Sequence, residues 1–537
     1  MQGVQQVQAV PLPFTGINKN LTGVQLTIDQ AISVHNFTVE DGMLKKRLGY
    51  KTLGDEFDGY GLELISFTNG YGVDYVVACT STGIYKYVAT DDSWSNISPT
   101  YTLDGVADTV YTFGGKETNR WSHAEVYSQE SEIMSSLVVT GGTHVFTPIT
   151  STPGQLRGYT GLLLTNGFNK PIIWDGDKAR FKFVNMADFT GLDFIREVAQ
   201  DRNHTILARP TTTEDYVKNL RWSDVGSIIN YTTGTSGEKF IADAVGKLSR
   251  IKKLNDEMIV YFTSSVCKLK YTGVGTIFTA QTNLSDNGLL TEKALWDFPQ
   301  VHFYASTDRK FYVYAGGNNI ISFGDAFDTW FFDTIDYEKL EHFVFAFDQN
   351  KNDLYLFYVS TQTFDERAFD YIKLRLNQQR TSVIGIVEGR FGHCLRDLTT
   401  CASSRSYACD SALFRTPDVL CDDSYYGPMT CSEMLISAAY PVPTFITSYK
   451  NVSDEPKARV FILDNVYGTD AGEAISCHIE TKDYTLEQGN QVTEVRWLGL
   501  ALDCACLTAS EETSLLVEFS TDLGETWTTA EILSGIF

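Results

Sequence analysis

The chain has 537 residues, with 43 Lys and Arg against 67 Asp and Glu, for a formal net charge of −24. Charged residues are 20% and aromatics 13%, which excludes a disordered acidic chain. The acidity argues against a broad grip on nucleic acid, which needs Lys and Arg on phosphates, and no run of about 18 apolar residues offers a membrane-spanning helix.

Met1 to Phe14 lacks the basic region and apolar run of a secretory signal. Residues 1–60 read as an extended N-terminal arm, punctuated by Pro11, Pro13, Gly16, Gly42, Gly49 and Gly54. Asp41-Gly42 signals a turn, and Lys45-Lys46-Arg47 reads as its solvated flank more readily than as a binding patch.

From about residue 60 one texture recurs. Tyr75-Val76-Val77-Ala78 leads through Ser81-Thr82-Gly83 into Ile84-Tyr85-Lys86-Tyr87. Met258 to Phe262 leads through Thr263-Ser264-Ser265 into Val266 to Leu269, and Val301 to Tyr304 through Thr307-Asp308 into Phe311 to Tyr314. Short aromatic and β-branched runs joined by polar turns predict an all-β fold. Recurrence every ~40–50 residues is the mark of a β-propeller, in which each repeat is a blade that buries its faces against its neighbours. The reading is a propeller of six to eight blades over residues 61–390, with a string of sandwiches as the alternative.

Residues 391–456 break the pattern and read as a Cys-rich insertion or linker. Cys394, Cys401, Cys409, Cys421 and Cys431 follow no zinc-site spacing, although His393 and His478 each sit beside a Cys. A reducing compartment keeps such thiols reduced, and the spacing leaves any disulfide pairing open. Residues 457–537 read as a returning strand, Arg459 to Leu463, followed by a small C-terminal β-sandwich-like module. Its strands are Ile475 to Thr481, Val492 to Leu502 and Ser514 to Phe519. Ser520 to Trp527 matches the Asp-box pattern S-x-D-x-G-x-T-W. There Asp522 accepts turn N–H groups, Gly524 supplies a positive φ and Trp527 packs beneath the hairpin.

Chemistry is hard to find. The chain lacks H-E-x-x-H, G-x-x-x-x-G-K-[ST] and G-x-S-x-G, and its eight His are scattered. Acid pairs such as Asp91-Asp92 read as solvated turns. No catalytic, cofactor or metal-binding residue is assigned, and the expectation is a non-enzymatic protein without cofactors.

Gly16-Ile17-Asn18, then Asn36, then Asp41 to Tyr50 resemble the N-terminal signature of bacteriophage tail and neck proteins. Those chains carry a G-[LI]-N step, an Asn and a G-x-L-x-x-R-x-G-Y segment. Arg221-Trp222-Ser223-Asp224-Val225-Gly226 resembles their W-S-D-x-G step. Lys253 to Gly273 and Ile479-Glu480-Thr481 are similar to later segments. The likeness implies the tail nozzle and hub proteins of short-tailed phages. These are propeller-based homo-oligomeric rings, usually hexameric, that extend the DNA-ejection channel below the portal and adaptor. The implied partners are those proteins, other tail components and transiently passing viral DNA, with no membrane insertion. The implied location is the virion tail, after synthesis in the host cytoplasm. Structural roles fall to Arg47 and Tyr50 as anchors of the arm, Trp222 and Asp224 in a blade turn, and Asp522, Gly524 and Trp527 in the last hairpin. The alternative is a carbohydrate-binding or glycan-hydrolysing propeller in host recognition, supported by the Asp box and the many Tyr and Trp. An interaction scaffold of the kelch kind is weaker, because a regular double-Gly step is missing.

Overall fold

Alternating β-branched and aromatic runs pair with the next run along the chain, because two- to five-residue polar turns leave no other partner within reach. Glu197–Asp201 and His204–Ala208 illustrate the rule: Asp201 faces His204 across a turn whose residues Arg202 and Asn203 have φ of 47° and 62°. The computed structural model describes residues 15–481 with gaps, notably 115–119, 150–158, 186–194, 209–216, 362–368, 403–440 and 464–468, and then 513–519, 526 and 528–535.

Among the described residues, four sheets are four-strand antiparallel meanders, spanning 61–96, 197–240, 248–285 and 295–322, and a fifth such meander, 344–391, forms part of a seven-stranded sheet. Their first strands stand side by side around a common axis. Glu197–Asp201 packs beside Leu248–Leu254, that strand beside Leu295–Asp297, and that in turn beside Val344–Asp348. This is the blade arrangement of a β-propeller, and the fold is nearly all β, with one short α-helix at Asp328–Thr334 and one 3-10 turn at Tyr337–His342 among the described residues.

Among the described residues the regular blades number about five, against the six to eight expected. Two composite sheets fill the remaining arc. In one, Ser122–Ser128, Tyr159–Thr165, Ile172–Trp174 and Lys182–Val184 follow blade order. The hairpin Met134–Thr140 and Thr143–Ile149 is inserted after its first strand, and Thr100–Leu103 joins Met134–Thr140 in parallel. In the other, Leu395–Ala402, Pro441–Lys450 and Pro456–Leu463 are completed by Tyr50–Thr52 from the arm. Its first strand packs between Val344–Asp348 and Gly61–Thr68, so the ring closes there.

Two boundaries therefore move. The ring does not stop at 390: two strands inside the 391–456 segment, Leu395–Ala402 and Pro441–Lys450, belong to the closing sheet. Ser-, Pro- and Cys-rich composition hid them, because pairing with distant partners supplies what local pattern lacks. Residues 1–60 are not a free arm. Gly16–Ile17 lies parallel between Val383–Phe391 and Gln30–His35, and His478–Thr481 adds to the far side of Gln30–His35. The 478–481 strand is thus part of a propeller sheet rather than of a separate module. Residues 492–502 lie outside the described residues, and Thr513–Phe519 pairs with Thr528–Gly535 as a hairpin.

The aromatics fill the blades. Phe303, Phe311, Phe327, Phe331, Phe345 and Phe347 form one fully buried cluster, with Phe311 only 4.9 Å from Phe327 and 5.1 Å from Phe331. Cys79 and Cys267 are buried in two other blade cores.

Candidate functional site

The residues of the N-terminal signature meet at the seam where the ring closes. Asn36 adopts φ 60°, turning its side chain inward. Its Oδ1 accepts from Arg47 Nε at 3.0 Å and from the Arg390 N–H at 3.0 Å, while its Nδ2 donates to the Ser476 carbonyl at 2.7 Å. The Arg47 guanidinium is buried and forked onto Asp470, with Nη1 to Oδ1 at 2.7 Å and Nη2 to Oδ2. Nη2 also donates to the Arg390 carbonyl at 3.0 Å, and the guanidinium lies 4.5 Å from the Phe391 ring centre. Tyr50 is 1% exposed and meets Phe445 and Phe461 edge-on at 5.3 and 5.0 Å. A Cβ on Gly49 would stand 1.8 Å from the Thr469 carbonyl oxygen, and one on Gly16, at φ 88°, 1.7 Å from that of Ile386. Only glycine fits either approach. The basic triplet thus divides: Arg47 is interior, contrary to a solvated flank, because Asp470 awaits it from 423 residues away.

Trp222 ends the strand Asn219–Trp222, is 2% exposed, donates Nε1–H to the Thr235 carbonyl at 3.1 Å, and meets Phe278 edge-on at 5.4 Å. Asp224 Oδ1 accepts from the N–H groups of Val225 and Thr235 and from Thr235 Oγ1, at 2.9, 2.8 and 2.6 Å. Burial raises its pKa, but these bonds prevail and hold it below the usual carboxylate value. Asp522, Gly524 and Trp527 lie outside the described residues, although the strands flanking them pair.

A second constellation was missed from sequence: the propeller axis is charged. Lys293 pairs with Glu63, which His123 also faces at 3.7 Å. Arg196 forks onto Glu292, with Nε to Oε1 at 3.1 Å and Nη2 to Oε2 at 2.6 Å. Arg250 Nε lies 3.4 Å from Glu197, and Lys252 Nζ lies 3.1 Å from Asp297. Most of these sit on or just before the first strand of a sheet. Burial works against the charge on Glu63, Glu292 and Asp297, but the cations prevail and lower all three pKa values. For Glu197 burial wins and its pKa is raised. Burial, then Lys252, press the His123 pKa down to about 4. The available signal was a charged residue inside an otherwise apolar first strand, as in Gly61-Leu62-Glu63-Leu64-Ile65.

This arrangement pairs charges rather than presenting them. A cavity between Leu163, Val184, Ile195, Leu207, Ile228 and Tyr231 has no charged lining residue. Among the described residues, no group of three or more His, Cys, Asp or Glu is placed to hold a metal ion, and no helix is long and apolar enough to cross a membrane.

No family model matches the chain, and no curated protein matches it in sequence. Solved propellers are similar at low level. BamB from Moraxella catarrhalis has 9% identity and TM-score 0.31, covering 77% of this chain and 99% of that one. The WD40 β-propeller domain of Doa1 has 8% identity and TM-score 0.31, covering 78% and 98%. The extracellular domain of the hybrid two-component system BT4673 from B. thetaiotaomicron has 10% identity and TM-score 0.32. That match covers 66% of this chain and only 37% of the other. The fold assignment rests on the sheet order itself.

Proposed function

We propose that this chain is a non-enzymatic structural protein of a bacteriophage tail, of the nozzle or hub class, acting as a ring of copies around the path of the ejected DNA. The observation that carries the reading is the clasp. Gly16, Asn36, Arg47, Gly49 and Tyr50, the residues of the phage-like signature, all have contacts at one seam. The likeness is therefore of a connected physical unit and not of scattered letters. The axis of one propeller is filled with ion pairs, so in this reading DNA runs between copies. A net charge of −24 suits such a conduit, since each exposed Lys or Arg would brake a passing phosphate backbone.

The carbohydrate reading gains no comparable support. Trp174, Trp222, Tyr261, Tyr304, Tyr314 and Tyr371 are buried in the blades and cannot stack on a sugar. Immunogold labelling of particles produced from a genome encoding the chain tests the proposal. Label on the tail supports it, with a cryo-EM ring of copies giving the symmetry. Purified particles that lack the chain, or turnover of a glycan by the pure protein, overturn it.

A further inference from the structure

We propose that the mouth of the propeller axis is a binding site for a small oxyanion, held by Arg120 with Arg396 and His342 around it. Charge accounting at the axis points there. The carboxylates of Glu63, Glu197, Glu292 and Asp297 are each engaged, by Lys293, Arg250, Arg196 and Lys252 respectively. Arg120 is a fifth permanent cation in the same cluster, 8% exposed; Glu292 and Glu63 act on it electrostatically, but neither is its direct ion-pair partner, being engaged by Arg196 and Lys293. Arg120 Nη2 donates to the Glu341 backbone carbonyl at 2.9 Å, a neutral acceptor, and its Nη1 is buried with no hydrogen-bond partner among the described residues. A buried guanidinium in this state is destabilising unless an anion joins it.

The surroundings favour an anion. Arg396, 4% exposed, reaches the same Glu341 carbonyl through Nη1 at 3.5 Å, so two guanidinium groups converge on one oxygen. His342 is the next residue; its Nε2 lies 3.7 Å from the Glu341 carboxylate, and burial first, then Arg396, pull its pKa down to about 2, so it flanks the site as a neutral imidazole. Burial first, with Arg250 and Arg196 adding to it, pulls the Arg120 pKa down to about 10 despite Glu292 and Glu63, the direction expected of a cation in surplus. These groups come from three places in the chain, immediately before the strands Ser122–Ser128 and Val344–Asp348 and within Leu395–Ala402, and ring closure alone brings them together. An oxyanion satisfies Nη1 with a charge-assisted bond and neutralises the surplus. The site is independent of the tail proposal.

The test uses the full-length protein at constant ionic strength. Sodium phosphate, sodium sulfate and sodium acetate are titrated against sodium chloride, following heat of binding and melting temperature. The expected result is saturable binding of at least one oxyanion, with a rise in melting temperature that chloride does not give. Arg120→Gln should weaken that binding at least tenfold while keeping the far-UV spectrum. Arg202→Gln, on an exposed turn away from the mouth, should leave it unchanged. Phosphate and sulfate without acetate define a tetrahedral site, and acetate as well defines a carboxylate-type site. Absence of saturable binding of all three, or binding unaffected by Arg120→Gln, overturns the inference. If Arg120→Gln does not fold, Arg120→Lys serves, since it keeps the charge but loses the second N–H arm.

Discussion

Asp470 and Arg47 depend on each other. Both are nearly buried, and removing one leaves the other charged in a low-dielectric seam. Arg47→Ala or Asp470→Asn should cost about 3–5 kcal/mol in chemical denaturation. Arg47→Lys should recover little, because an ammonium cannot fork onto Asp470 while also reaching Asn36 and the Arg390 carbonyl. A loss under about 1 kcal/mol would show the seam to be wetter than the structure has it. His302 sets a pH dependence. It is fully buried, its Nε2–H donates to the Lys253 carbonyl at 3.1 Å, and its Nδ1 accepts from the Tyr261 hydroxyl at 2.8 Å. Burial, opposed by Asp297, lowers its pKa from 6.5 to about 4. Between those values the unfolded chain takes up a proton that the folded one refuses. Stability is therefore lost as pH falls from 6.5 towards 4, by up to about 3 kcal/mol from this residue. His302→Gln should flatten the slope of stability against pH by about one proton in that window. An unchanged slope would remove His302 from the account.

At the scale of the element, each regular blade is a meander whose turn residues were readable. Ser81-Thr82-Gly83 turns Asp74–Thr80 into Ile84–Val88, and the Trp222-Ser223-Asp224 step ties a strand end to the loop reaching Thr235. Trp222 fills the blade core beside Phe278, so Trp222→Ala should cost about 3–5 kcal/mol, measured by urea denaturation. A change within experimental error would place Trp222 at the surface. The composite sheets were less readable. The hairpin Met134–Thr140 and Thr143–Ile149 looks in sequence like half a blade of its own, yet it is an insertion within one sheet. Hairpin counting cannot distinguish the two, because both satisfy the same local pairing rule.

At the scale of the molecule, ring closure relies on the first sixty residues. Tyr50–Thr52 completes the last sheet, and Gly16–Ile17 and Gln30–His35 extend the sheet before it. Deleting residues 1–60 would expose two strand edges and strip Tyr50 from its aromatic cluster. The truncated chain should lose cooperative unfolding and aggregate, as read by calorimetry and light scattering. A peptide of residues 1–60 supplied during refolding should restore part of the transition. A truncated chain with the full-length melting profile would mean that the arm decorates the ring without closing it.

The sequence by itself determined the β class, the position of most turns and the propeller texture. All of these follow from side-chain alternation and turn chemistry acting over a few residues. It also carried Arg47, Asn36, Gly49 and Tyr50 as a motif, without the reason for their spacing. Tertiary structure alone decided that Arg47 meets Asp470, that strands beyond residue 390 belong to the ring, and that Glu63, Arg120, Glu197 and Arg250 share an axis. The partners in those contacts lie tens to hundreds of residues apart, and only closing the ring of sheets brings them within bonding distance.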